Sequence, residues 1–161
     1  MRRLILDIVK PHWGFFLGLF VAATIFLYVT QPFDVAITHD GSAYVDGAFQ
    51  FLNHQEYTHD HWPPGYSYLL FLSSKIFFCN PIMAAKWLNL VLLFVGIGFM
   101  YLLMSFLHSD RYMQWLGVVL FCCLEPWVES SYRIASELPA IVLTLALFWV
   151  VVKYVETSKV L

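Results

Sequence analysis

The chain has 161 residues, 60% of them apolar and only 12% charged, with a formal net charge of −2. A soluble domain carries roughly 25% charge because something has to face water, so a secreted or cytosolic globule is excluded, as is a disordered chain, which needs the opposite balance. No basic run is present to attract phosphates, which excludes nucleic acid as a partner and leaves a multi-spanning membrane protein of mean hydropathy +0.70.

A helix needs about 20 apolar residues to cross a bilayer. The first such stretch is 13–30, free of Asp, Glu, Lys and Arg. It follows Arg2, Arg3 and Lys10, which predicts a cytoplasmic N-terminus. The stretch is too long for a signal-peptide core, so it reads as an uncleaved anchor. Residues 31–81 then form the first external loop. Its first part carries Asp34, Asp40, Asp46, Glu56 and Asp60 but no Lys or Arg, together with His39, His54, His59 and His61.

Within that loop, Tyr44, Ala48 and Phe51 recur at helical spacing, with Leu52 widening the stripe, and predict a short amphipathic helix over 40–53. Asp40 falls at its expected N-cap, and Asp46 on its solvent side. His59-Asp60-His61 has metal-ligand residue types but an incomplete ligand set. Trp62-Pro63-Pro64-Gly65-Tyr66 follows, where the prolines impose a rigid corner and start a second helix over 64–78. At about 22 Å that helix is short for a span and suits the interface, with its serines and Lys75 facing the headgroups.

Further spans are expected over 82–107, 112–127 and 138–155. Gly96 and Gly98 in the first of these suggest close helix packing, and Lys153 can snorkel at the end of the last. Before that last span stands Tyr132-Arg133-Ile134-Ala135-Ser136-Glu137-Leu138-Pro139, which puts a guanidinium and a carboxylate at a membrane boundary, where charge is costly without a partner or a task. Cys79, Cys122 and Cys123 read as small core residues. The fold class is therefore all-α integral membrane, with about four spans and two juxtamembrane helices. The positive-inside rule splits the nine Lys and Arg equally well whether 64–78 lies flat or spans.

The order of three stretches resembles a family. His39-Asp40-Gly41-Ser42-Ala43-Tyr44, Trp62-Pro63-Pro64-Gly65-Tyr66 and Ser136-Glu137-Leu138-Pro139 are similar to motifs of the glycosyltransferase C superfamily, in the style of the protein O-mannosyltransferases and the aminoarabinose and lipid A sugar transferases. The resemblance implies that both acidic motifs face one side, which favours 64–78 lying flat, four spans and both ends cytoplasmic; the compact loops suit a bacterial plasma (inner) membrane. It implies transfer of a sugar from a polyprenyl-phosphate donor to an acceptor on the external face, with inversion.

On that reading Asp40 is the candidate base and Glu137 orients the acceptor or sugar. Arg133 meets the lipid phosphate, with Lys75 and Lys86 as further candidates. Tyr44, His39, Trp62, Tyr66 and Ser136 complete the substrate-binding set. The resemblance fixes no cofactor and leaves a divalent metal open, since an equivalent acid in some relatives ligates one. Two differences stand out: Gly41 replaces a second carboxylate found in some relatives, and the family's fold has many more spans. The expectation is the N-terminal part of a longer enzyme, or a chain completed by a further subunit or a homo-oligomer. A plainer account is also available for each residue: Asp40 and Glu137 as helix caps, Arg133 as an interfacial anchor, Trp62 and Tyr66 as interface-belt aromatics. A non-catalytic scaffold or lipid-binding subunit is the alternative function. A transporter subunit is disfavoured because the spans carry no ionisable residue near their centres.

Overall fold

The computed structural model describes residues 38–107, 110–124, 127, 130 and 133–158. They belong to one compact unit, Val35–Leu161. The expected span at 13–30, and the orientation drawn from it, lie outside the described residues.

Five helices appear among the described residues, with no strand. The first, α1 (His39–Leu52), starts at Thr38. The extended backbone of Thr38 places its hydroxyl where it accepts the Gly41 N–H at 2.9 Å, as an N-cap side chain should. The cap therefore lies two residues earlier than expected, and Asp40 falls inside the first turn, where the helix dipole favours a carboxylate. Gly41, Tyr44, Val45 and Ala48 are buried along one stripe, while Phe51 and Leu52 are half-buried.

Pro63 and Pro64 turn the chain into α2 (Pro64–Phe77), with Pro64 at the first helical position, where a missing N–H costs nothing. Its serines differ from expectation. Ser73 and Ser74 are buried, because their hydroxyls donate back to the Leu69 and Leu70 carbonyls at 2.8 and 2.9 Å and need no water. The outward face carries Tyr68, Leu72 and Ile76. Only Lys75 fits the headgroup role there, and it lies over the Phe71 ring at 5.8 Å. Phe78 closes the helix in the left-handed region at φ 52°.

Asn80 caps α3 (Pro81–Leu107), its side-chain oxygen accepting the Met83 N–H at 2.9 Å. Asp110 does the same for α4 (Arg111–Cys122) at the Tyr112 N–H, 2.9 Å. The last helix is α5 (Glu137–Ser158). Near its end Lys153 pairs with Glu156 at 2.7 Å.

Two helices are long and apolar enough to cross a membrane, α3 with 27 residues and α5 with 22. Their outward residues, among them Val91, Val95, Leu143, Leu147 and Val151, are exposed in the chain by itself. Four spans are not seen among the described residues. The third expected span, 112–127, is represented by α4, which ends at Cys122 and reaches only about 18 Å at 1.5 Å per residue.

The packing runs in sequence: α1 on α2, α2 on α3, and α3 against both α4 and α5. One apolar cluster joins the start of this series, with Tyr44, Val45 and Ala48 from α1, Tyr66 and Leu70 from α2, Ala85 and Leu88 from α3, and Ile134. Gly47 allows α1 to approach α2 closely, since a methyl there would meet the Tyr57 ring and the Ser67 hydroxyl. Gly96 does the same for the Trp127 ring, as the glycine pair suggested, whereas Gly98 faces open space.

Candidate functional site

The segment Arg133–Ser136 lies across the N-terminal end of α1. Thr38 Oγ1 donates a long hydrogen bond of 3.4 Å to the Ile134 carbonyl. Gly41 lies directly beneath that carbonyl, and a Cβ at this position would collide with it. The Tyr44 and Ser136 hydroxyls are 3.4 Å apart. From the other side, Asn89 of α3 donates its amide to the Arg133 carbonyl at 2.9 Å. Two helices thus hold a stretch that is otherwise irregular, and each contact spends a polar group that would be expensive to bury alone.

The result is a cavity of about 480 Å³ whose lining includes Asp40, Tyr44, Ser130, Arg133, Ser136 and Glu137. Five of the eight residues singled out from sequence therefore meet around one space: Asp40, Tyr44, Arg133, Ser136 and Glu137. Asp40 and Glu137 each open a helix, α1 and α5 respectively, so both carboxylates sit at the positive end of a backbone dipole. Around the cavity they are joined by one guanidinium and the hydroxyls of Thr38, Tyr44, Ser130 and Ser136, a set that combines an anion-binding group with hydrogen-bonding partners for a polyol. Gly41 also gains a reason. Some relatives in the resembled family have a carboxylate at this position, but here the Ile134 carbonyl leaves no room for a side chain.

The other three lie beside or behind the cavity. His39 is largely exposed, and its Nδ1 approaches the Asp40 carboxylate at 3.6 Å. Trp62 packs against His39, ring centroids 5.8 Å apart. Tyr66 is buried beneath Tyr44, edge to face at 5.1 Å. Burial pushes the Tyr66 phenol well above its ordinary range, an effect reinforced by the nearby Glu137 carboxylate and moderated by the Ala135 backbone. Its hydroxyl makes no hydrogen bond among the described residues, although the Ala135 backbone is near enough to temper its proton affinity.

Among the described residues no three His, Cys, Asp or Glu side chains are arranged to hold a metal ion. The His59-Asp60-His61 stretch is used differently: His59 Nε2 bonds Asp46 at 2.8 Å. Asp46 is exposed, as expected, and this contact engages it as well.

Sequence reasoning passed over Thr38 and Asn89. A threonine two residues before Asp40 is a cap signal, and a lone asparagine in an apolar helix signals a buried polar contact, so both were within reach. Ser130 carries no such signal. Comparison with known protein families, with curated proteins and with solved structures gives no match to this chain.

Proposed function

We propose that the chain is a membrane glycosyltransferase, or the N-terminal segment of one, which moves a sugar from a polyprenyl-phosphate donor to an acceptor on the external face. The observation that carries this reading is the convergence of Asp40, Arg133 and Glu137, from opposite ends of the described sequence, on one cavity beside Tyr44 and Ser136.

In this mechanism Asp40 accepts the proton of the acceptor hydroxyl or amine as that atom attacks the anomeric carbon. The bond from the anomeric carbon to the phosphate oxygen breaks, and its electron pair leaves with the lipid phosphate. Attack opposite the leaving group inverts the centre. Arg133 stabilises the negative charge that grows on the phosphate, where a guanidinium can offer two parallel N–H donors. Glu137 and Ser136 orient hydroxyls of the sugar or acceptor. Asp40 is 65% exposed, so an acceptor can reach it from solvent.

The test is transfer from a panel of polyprenyl-phosphate sugars by membranes carrying the protein. Asp40→Asn should lower turnover by about 10²–10⁴-fold, the usual contribution of a positioned base, while binding of undecaprenyl phosphate survives. Arg133→Gln should weaken that binding. Lipid binding without transfer would replace the enzyme with a lipid-binding subunit, and absence of both would end the proposal.

A further inference from the structure

A second cluster lies on the solvent side of α1, outside the cavity. Asp46 and Gln50 stand one helical turn apart and together grip the loop that follows. Asp46 Oδ2 takes hydrogen bonds from the Gln50 amide at 2.9 Å and contacts His59 Nε2 at 2.8 Å. Gln50 also donates to the Thr58 hydroxyl and accepts the Thr58 N–H, both at 3.0 Å. Tyr57 ties the other end of the loop by donating its hydroxyl to the Trp62 carbonyl at 2.7 Å.

The ring of Trp62 sits among three imidazoles: His39 at 5.8 Å, His61 at 6.1 Å and His59 at 6.3 Å. His39 is the one that faces Asp40. A continuous series of contacts therefore runs from Asp46 through His59, Trp62 and His39 to Asp40. It joins two carboxylates of the same helix by way of the loop.

We propose that Asp46 and His59 are positioning residues for Asp40, acting through Trp62 and His39. Loop 57–62 is held by α1, Trp62 backs the exposed His39 ring, and His39 is thereby kept beside the Asp40 carboxylate. The placement of that imidazole then bears on how the Asp40 carboxylate is presented to an acceptor. The effect on a base rests on the transferase reading above; the clasp itself does not.

The experiment uses the full chain in lipid nanodiscs, with ¹³C-labelled histidine and amide hydrogen exchange. His59→Ala and Asp46→Asn should shift the His39 ring resonance. They should also speed exchange at the Thr58 amide by about tenfold, as expected when a charge-assisted contact that holds a loop is removed. His59→Gln keeps a donor and should restore much of the protection. With Trp62→Leu in place, adding His59→Ala should leave His39 unchanged, because the link is already cut. An unaltered His39 resonance in His59→Ala overturns the proposal, as does an equal further shift in the double variant. If the wild-type protein shows no sugar transfer while these shifts appear, the clasp stands and the transferase reading falls. If transfer is present and neither kcat nor KM changes in His59→Ala, Asp40 keeps its role and the positioning role is lost.

Discussion

Tyr66 shows how one side chain can record the character of its surroundings. Its phenol is buried without a hydrogen-bond partner among the described residues, and burial raises its proton affinity. The folded state therefore favours the neutral form more strongly than the unfolded chain does. The associated stability is fully present below the ordinary tyrosine pKa of about 10 and is lost as pH rises through that value toward the higher folded one. Thermal unfolding in detergent should show this alkaline loss, and Tyr66→Phe should reduce it. At neutral pH the same variant should be as stable as the parent or slightly more so, since removing a buried, unmatched hydroxyl relieves a desolvation cost. A clear drop in midpoint at pH 7 would mean that the hydroxyl has a partner. At this scale Asp40 and Glu137 were legible in the sequence, because a charge beside an apolar stretch is conspicuous. Tyr66 looked like a ligand contact from its place in the Trp-Pro-Pro-Gly-Tyr corner, yet it supports the floor under Tyr44. Side-chain depth is a tertiary property that a local motif does not encode.

The helices were the most legible level. The 40–53, 64–78, 82–107 and 138–155 expectations each match a helix to within a few residues, because caps and prolines mark their starts. The 112–127 expectation is met over Arg111–Cys122, after which Cys123 turns the chain. Elements also differ in what their glycines do. In α3, Gly96 receives the Trp127 ring while Gly98, two residues on, meets nothing among the described residues. Gly96→Ala should cost about 1–3 kcal/mol through overpacking. Gly98→Ala should cost nothing and should gain up to about 1 kcal/mol in helix propensity. Equal thermal midpoints for the two variants would show that Trp127 is not seated on α3. The sequence shows the glycine pair but not which member faces a neighbour, since the two lie on different sides of the helix.

For the whole molecule, the apolar length of α3 and α5 sets the arrangement relative to a bilayer. At 27 and 22 residues they reach about 40 and 33 Å, enough to cross the hydrocarbon core. Single cysteines placed at positions 80 and 110 of a cysteine-free variant should therefore label from opposite sides of the membrane, with position 80 on the same side as position 40. Labelling of 80 and 110 from the same side would remove α3 as a span. Hydropathy makes these two helices legible as candidates for crossing. It could not decide the lie of 64–78, because both arrangements satisfied the same charge rule.

The bond between Thr38 and Ile134 joins residues 96 apart in the chain. Closing a flexible loop of that length costs roughly 4 kcal/mol in entropy, from the logarithmic dependence on loop length. The neighbouring contacts of α1 with α2 and of α2 with α3 close far shorter loops and can form as soon as those helices exist. During synthesis the ribosome must deliver the segment through Ser136 before α1 can meet its distant partner. The helices α1, α2 and α3 will then have packed together with only part of the cavity lining in place. Any quality-control protease that samples this interval would encounter Asp40 and Tyr44 with their far wall still missing, so variants that weaken the 133–136 contact should be cleared from the cell before they are found inactive.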